Sequence, residues 1–162
     1  MYFEIQRQTD KTAEGAAYVH YKAWQETYRG FMPDEFLASH TYEKSRKFAC
    51  VNENKLAAVV NGQVGGFAAF LQECREFCSV RNAGEITALY VLKKYQKIGI
   101  GKALLKSCLN KIEKREAVLF VLKGNENAIG FYRHMGFKPT GHEITQQVAG
   151  GEITELEMLL KR

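Results

Sequence analysis

Gln96-Lys97-Ile98-Gly99-Ile100-Gly101-Lys102 decides how this chain folds. It follows an apolar run, Ile86-Thr87-Ala88-Leu89-Tyr90-Val91, that reads as a buried strand, and it opens a run from Lys102 to about Glu113 that reads as a helix. The local order is therefore strand, glycine turn, helix. Glycine lets a backbone approach a ligand without a Cβ in the way and admits positive φ. The first amides of a helix have no intrahelical partner, and the macrodipole places partial positive charge there. Such a turn suits a phosphate or pyrophosphate, and Lys97 and Lys102 add formal charge. A plain β-to-α connection, with glycines kept for geometry alone, is the competing reading, and this stretch by itself leaves both open.

Outward from the turn, Ala103, Leu104, Leu105, Cys108, Leu109 and Ile112 make an apolar helix face, and Lys102, Lys106, Asn110 and Lys114 a polar one. Ala117 to Leu122 is a continuous apolar run of the kind buried on both faces in a parallel strand. Asn125 can cap a helix whose stripe is Ala128, Phe131, Tyr132 and Met135, spaced i, i+3, i+4 and i+7. Gly136 closes that helix where a left-handed residue is favoured. Residues 137–148 and 152–160 read as a hairpin around Gly150-Gly151. On the N-terminal side, residues 2–8 alternate as a strand, and Asp10 or Thr12 caps a helix with the stripe Ala13, Ala16, Ala17, His20, Ala23 and Trp24. That helix ends near Arg29-Gly30. A second helical region starts at Phe31-Met32-Pro33-Asp34, and a third spans about 42–49. Strands 55–60 and 63–71 are joined by Asn61-Gly62, a hairpin dipeptide. Residues 72–84 have no clean period and read as a loop before the central strand, 85–92. The class is α/β (α+β), a mixed sheet flanked by helices with a central parallel pair, in one domain over residues 1–162.

Composition agrees. A chain of 162 residues can build one proper core, and 46% hydrophobic with 25% charged residues is an ordinary globular balance. The net charge of +5 fits an anionic ligand but is too diffuse to argue for nucleic acid. No stretch reaches the ~20 apolar residues of a membrane span, and the start lacks a signal-peptide core. A cytoplasmic protein without a membrane partner is expected. Cys50, Cys74, Cys78 and Cys108 form no Cys-x-x-Cys pair, and the four histidines are scattered, so no metal is expected and the thiols should be reduced.

The phosphate ligand can be narrowed. A P-loop would need Gly at position 96 and Ser or Thr at 103, where Gln96 and Ala103 stand. A dinucleotide site would need a third Gly where Leu104 stands and an acidic residue near Leu119 to Val121. What fits is Gln/Arg-x-x-Gly-x-Gly/Ala at Gln96–Gly101, together with Asn125-Glu126-Asn127-Ala128-Ile129-Gly130-Phe131-Tyr132-Arg133-His134-Met135-Gly136-Phe137. The second segment resembles Asn-x-x-Ala-x-x-Phe-Tyr-x-x-x-Gly-Phe of the GNAT superfamily of N-acetyltransferases. Gly130 departs from it by placing a poor helix former mid-helix, at a cost of about 1 kcal/mol at most.

The resemblance implies a twisted mixed sheet whose two central strands splay apart around acetyl-coenzyme A. It implies that Gln96 and the amides of Lys97, Ile98, Gly99, Ile100, Gly101 and Lys102 hold the pyrophosphate. The edge Leu89-Tyr90-Val91 would pair with the pantetheine arm as an added strand does. Asn125 would cap its helix or bond that arm, capping being the safer role. The implied reaction is direct acetyl transfer to a primary amine of a small molecule within a ternary complex. Acetylation of a protein N-terminus or lysine, or a coenzyme A sensor without turnover, are the alternatives.

That chemistry needs a neutral amine, although a free alkyl ammonium has a pKa of about 10.4. It needs a donor to the oxyanion, for which the N–H of Leu89 or Tyr90 is the candidate, and a proton for the departing thiolate; Tyr132 reads as a core aromatic or as that general acid, and the motif match favours the acid. Glu85 is a candidate to take the amine proton, directly or through water, against the weightier reading of a solvated carboxylate at a strand start. Cys108 belongs to the core. Trp24, Glu26 and Tyr28 fall in a segment resembling the acceptor side of bacterial small-molecule and polyamine acetyltransferases, with Glu26 and Tyr28 the better placed and Trp24 more often core. The acceptor's identity is open, and so is the assembly, for which a homodimer is one candidate.

Overall fold

In the computed structural model, which describes residues 2–50 and 53–162, the chain opens with β1 (Phe3–Arg7), α1 (Asp10–Tyr28), α2 (Asp34–Ser39) and α3 (Tyr42–Ala49). It continues through β2 (Lys55–Val60), β3 (Gln63–Leu71), β4 (Gly84–Val91), a 3-10 turn (Lys93–Tyr95) and α4 (Ile100–Lys111). It ends with β5 (Glu116–Leu122), α5 (Glu126–His134), β6 (Lys138–Val148) and β7 (Gly151–Lys161). Thr9, not Asp10 or Thr12, caps α1. Thr12 instead accepts from the Thr9 N–H at 2.9 Å, so both expected caps lie inside the helix. No helix among the described residues is long and apolar enough to cross a membrane.

The strands form one sheet in the order β1-β2-β3-β4-β5-β7-β6. β1 to β4 are an antiparallel meander, and β5, β7 and β6 are antiparallel to one another. The two groups meet in a short parallel seam: Gly84 opposite Ala117, Glu85 opposite Val118 and Ile86 opposite Leu119. Beyond Ile86, β4 stays with β3 as far as Val91, while β5 stays with β7 as far as Leu122. The sheet therefore opens between the C-terminal ends of β4 and β5, the place where α/β sheets bind ligands.

A bulge in β4 sets what faces each side of that opening. Ala69 pairs with Ala88 and Phe70 with Ile86, which leaves Thr87 as the extra residue. After it, Ala88 and Tyr90 join the cluster under α1 with Ala16, Ala17, Val19 and Phe67. Ile86, Leu89 and Val91 join the larger core under α4 with Ile100, Leu104, Leu105 and Cys108. α4 lies close because β3 offers no side chain there. A Cβ on Gly66 would sit 3.1 Å from the Tyr90 carbonyl oxygen and from Ile100. Burying Ile100 and the α4 leucines contributes about 1.5–3 kcal/mol each relative to exposure.

Candidate active site

The turn between β4 and α4 is built by two left-handed residues, Lys97 (φ 63°) and Gly99 (φ 96°). Gly99 is the N-cap, so α4 begins at Ile100, earlier than the apolar pattern suggests. Alternation of left- and right-handed residues is the backbone pattern that turns successive N–H groups to one side, an anion nest. A Cβ on Gly99 would meet no protein atom within 4 Å, so the space above it is open and its φ is what demands glycine. Gln96 folds back, its Nε2 donating to the Val91 carbonyl at 3.0 Å, which fixes the turn to the strand end. Lys97 and Lys102 are exposed beside it.

The opening has two banks. On one, Leu89, Tyr90 and Val91 pair with no strand but β3, so their other edge faces the gap, with the Val91 carbonyl taken by Gln96. On the other stands Tyr132 of α5, its ring against Phe131 (5.2 Å) and Phe137 (5.9 Å). Burial first, then the Tyr28 and Cys108 groups, pushes its phenol well above the ordinary tyrosine value. Asn125 is buried and caps α5, its Oδ1 accepting from the Ala128 N–H at 3.3 Å. Cys108 is wholly buried in the core, and burial pushes its thiol up to about 12.

On the α1 side of the sheet, Trp24 Nε1 donates to the Tyr90 hydroxyl at 2.8 Å, and the Tyr28 hydroxyl lies 3.3 Å from the same oxygen. Trp24 also stacks on His40 at 4.0 Å. Burial raises both phenols, Tyr90 the more strongly. Trp24 and Tyr28 are thus brought together, four residues apart on one helix face. Glu26 is not. It points away, its Oε2 accepting from the Lys93 N–H at 3.1 Å, because two positions along a helix is a rotation of about 200°.

Glu85 is fully buried rather than solvated. Arg75 of the β3–β4 loop holds it in a fork, with Nε 3.0 Å from each carboxylate oxygen, Nη2 on Oε1, and the Arg75 N–H 3.1 Å from Oε2. The same loop is tied a second time. The Ser79 N–H (2.8 Å), the Ser79 hydroxyl and the Thr140 hydroxyl (2.7 Å) all donate to the buried Glu157 of β7. Neither anchor stands out in the sequence of the loop, although two glutamates at inward positions of an apolar strand, Glu155 and Glu157, were a legible oddity. Among the described residues no group of histidine, cysteine, aspartate or glutamate could hold a metal ion.

Residues 17–137 match the acetyltransferase (GNAT) family model. The chain belongs to the GNAT family of acetyltransferases. It is 29% identical over 150 residues to a spermidine N(1)-acetyltransferase of Thermoplasma acidophilum, covering 85% of this chain and 89% of that protein. It is 26% identical over 115 residues to an N-alpha-acetyltransferase of Sulfurisphaera tokodaii, covering 65% of each. Its fold superposes on the PaiA N-acetyltransferase of Thermoplasma acidophilum, solved with coenzyme A, with a TM-score of 0.73 at 22% identity over the full length of both chains. This GNAT protein is an acyl-coenzyme A-dependent N-acetyltransferase with acetyl-coenzyme A as cosubstrate. Its own residues fit that molecule, with an amide nest for a pyrophosphate, a strand edge free of any partner strand for an amide-rich arm, and an opening in the sheet beside both.

Proposed function

We propose that this acetyltransferase transfers the acetyl group directly to a primary amine of a small molecule. The supporting observation is the hydrogen-bonded Trp24–Tyr90–Tyr28 group, which places an aromatic, polar-tipped surface on the α1 side of the sheet opening. Rings of this kind hold cations and their alkyl stems. The 29% identical spermidine acetyltransferase supports an amine acceptor.

Acetyl-coenzyme A supplies an activated thioester when bound. The amides from Lys97 to Lys102 would donate to its pyrophosphate, and the edge Leu89-Tyr90-Val91 would orient its arm. The N–H of Leu89 or Tyr90 donates where negative charge develops on the carbonyl oxygen, a role typically worth about 2.7–4 kcal/mol per donor. Tyr132 stays protonated and would donate to the departing thiolate, and the proton lost by the attacking amine would return to the phenolate through water, so that amide and thiol are the only products. Asn125 holds the start of the helix that carries Tyr132. Glu85 enters as the anchor of Arg75 rather than as the base, because its oxygens are already engaged.

A screen of small amines and of peptides with acetyl-coenzyme A, followed by free thiol, tests the proposal. Turnover of small amines is the expected result. Turnover of peptides alone would replace it with N-terminal or lysine acetylation. Binding without thiol release would leave a sensor.

A further inference from the structure

Glu155 carries a charge that the proposed reaction does not use. It lies on β7 opposite Leu122 of β5 and Ile144 of β6, and strand alternation puts it on the same sheet face as Ile153 and Glu157. Glu157 is committed to Ser79 and Thr140, and Glu85 to Arg75. Glu155 differs from both. Its side chain is half-buried and takes one hydrogen bond, from the Gln146 amide at 3.4 Å. Among the described residues no lysine, arginine or histidine pairs with it. Its neighbours along this face are Glu157, which accepts from Ser79 of the β3–β4 loop, and Ile153, which packs in the cluster with Tyr28 of α1. It therefore stands between the β3–β4 loop and α1, the two walls of the acceptor side. Leu122, Ile153, Trp24 and Tyr28 form the apolar cluster beside it. Among charged groups, the desolvation of Glu155 is offset by Arg75 alone, whose guanidinium is already engaged by Glu85, so a further cation against the Glu155 carboxylate is favourable.

We propose that Glu155 binds a second positive charge on the acceptor, set back from the nitrogen that is acetylated, so that short aliphatic diamines and polyamines are preferred over monoamines. This rests on the small-amine reading above. β7 is the direct neighbour of β5, so at ~4.8 Å per strand Glu155 lies about 5 Å behind the β5 edge of the opening. That is the scale of nitrogen spacings in such amines. The methylene chain between the charges would run along the Leu122–Tyr28–Trp24 surface. A monoamine leaves the carboxylate unpaired.

The test is steady-state kinetics with diaminobutane and with n-butylamine, at saturating acetyl-coenzyme A, for the wild type, Glu155→Gln and Glu155→Asp. Glu155→Gln should raise KM for the diamine about 10–100-fold, the range for losing one charged hydrogen-bonded contact. It should leave KM for butylamine, KM for acetyl-coenzyme A, kcat and Tm nearly unchanged. Glu155→Asp should keep part of the preference, and salt should raise the diamine KM in the wild type and not in Glu155→Gln. An unchanged diamine KM, or an equal rise for both amines, would overturn the proposal. A wild type that accepts neither amine would remove the small-amine reading instead. Glu155 would then be judged on peptides with lysine or alanine at the second position, and a Glu155→Gln enzyme whose preference between them matches the wild type would overturn it there.

Discussion

The hydroxyls of Tyr28 and Tyr90 lie 3.3 Å apart although the two residues are 62 positions apart in the chain. Tyr28 ends α1, and Tyr90 reaches it because the bulge at Thr87 turns its side chain to that face. The Tyr90 oxygen also accepts from Trp24, so one atom ties both ends of the aromatic group to the central strand. Tyr90→Phe strands the Trp24 N–H and should cost about 1–3 kcal/mol. At roughly 2–4 °C per kcal/mol for a chain of this size, calorimetry should show the drop in Tm. KM for the acceptor should rise and KM for acetyl-coenzyme A should not. An unchanged acceptor KM would make the group purely structural.

Tyr132→Phe removes a hydroxyl and keeps a ring packed between Phe131 and Phe137. A positioned acid contributes about 10²–10⁴-fold, so kcat should fall by that order while Tm barely moves. Because burial raises this phenol, an alkaline limb set by Tyr132 should lie above the ordinary value of about 10. Retained kcat in the variant would assign the ring to the core and show that thiolate departure needs no enzyme acid.

Gly99→Val places a branched side chain in the open space over the nest and at a φ of 96°. Its Cβ meets no protein atom, so the damage should fall on ligand binding and on the local turn. Calorimetric titration with coenzyme A should show severe weakening, with far-ultraviolet circular dichroism retained. Wild-type affinity would move the pyrophosphate elsewhere.

His20 Nδ1 is buried without a hydrogen-bond partner among the described residues, inside a cage of His40, Phe48, Phe67 and Tyr90. Burial, then His40 and Lys55, lowers His20 to about 3, and burial, then Lys44, lowers His40 to about 4. Both stay neutral in the fold while the unfolded chain takes up protons below about pH 6.5. The unfolded state then binds more protons, so stability holds above about 6.5 and falls as pH drops toward the folded values. His20→Leu should flatten Tm between about pH 7 and 4. Identical pH slopes in wild type and variant would show that His20 does not set the acid sensitivity.

The turn at 96–102 and the α5 segment were legible because glycines, caps and helical spacing act within a few residues. So were the two hairpins and the central parallel pair. The side-chain directions at the site were not. Tyr90 was visible only as backbone, since a bulge that depends on pairing with β3 decides where its ring goes. Arg75 sits in a loop without a period, and only the folded β4 brings Glu85 under it. Glu26 could have been separated from Tyr28 by helical spacing alone, which groups Trp24 with Tyr28 and turns Glu26 away. Glu155 interrupts an alternating apolar strand, a local signal whose meaning needs the neighbouring loop and helix.

The short parallel seam at Gly84–Ile86 bears on how the molecule assembles. On either side of it the strands pair antiparallel, and within β1–β4 each pairs with its neighbour in the chain. The β6–β7 hairpin closes around a tight turn. The β2–β3 and β6–β7 pairings close tight turns, whereas β1–β2 spans three helices and the seam spans α4 and its turn, each at greater entropic cost. The proposed coenzyme cleft is thus the joint between the two antiparallel parts of the sheet, which only three residue pairs hold together along the strands.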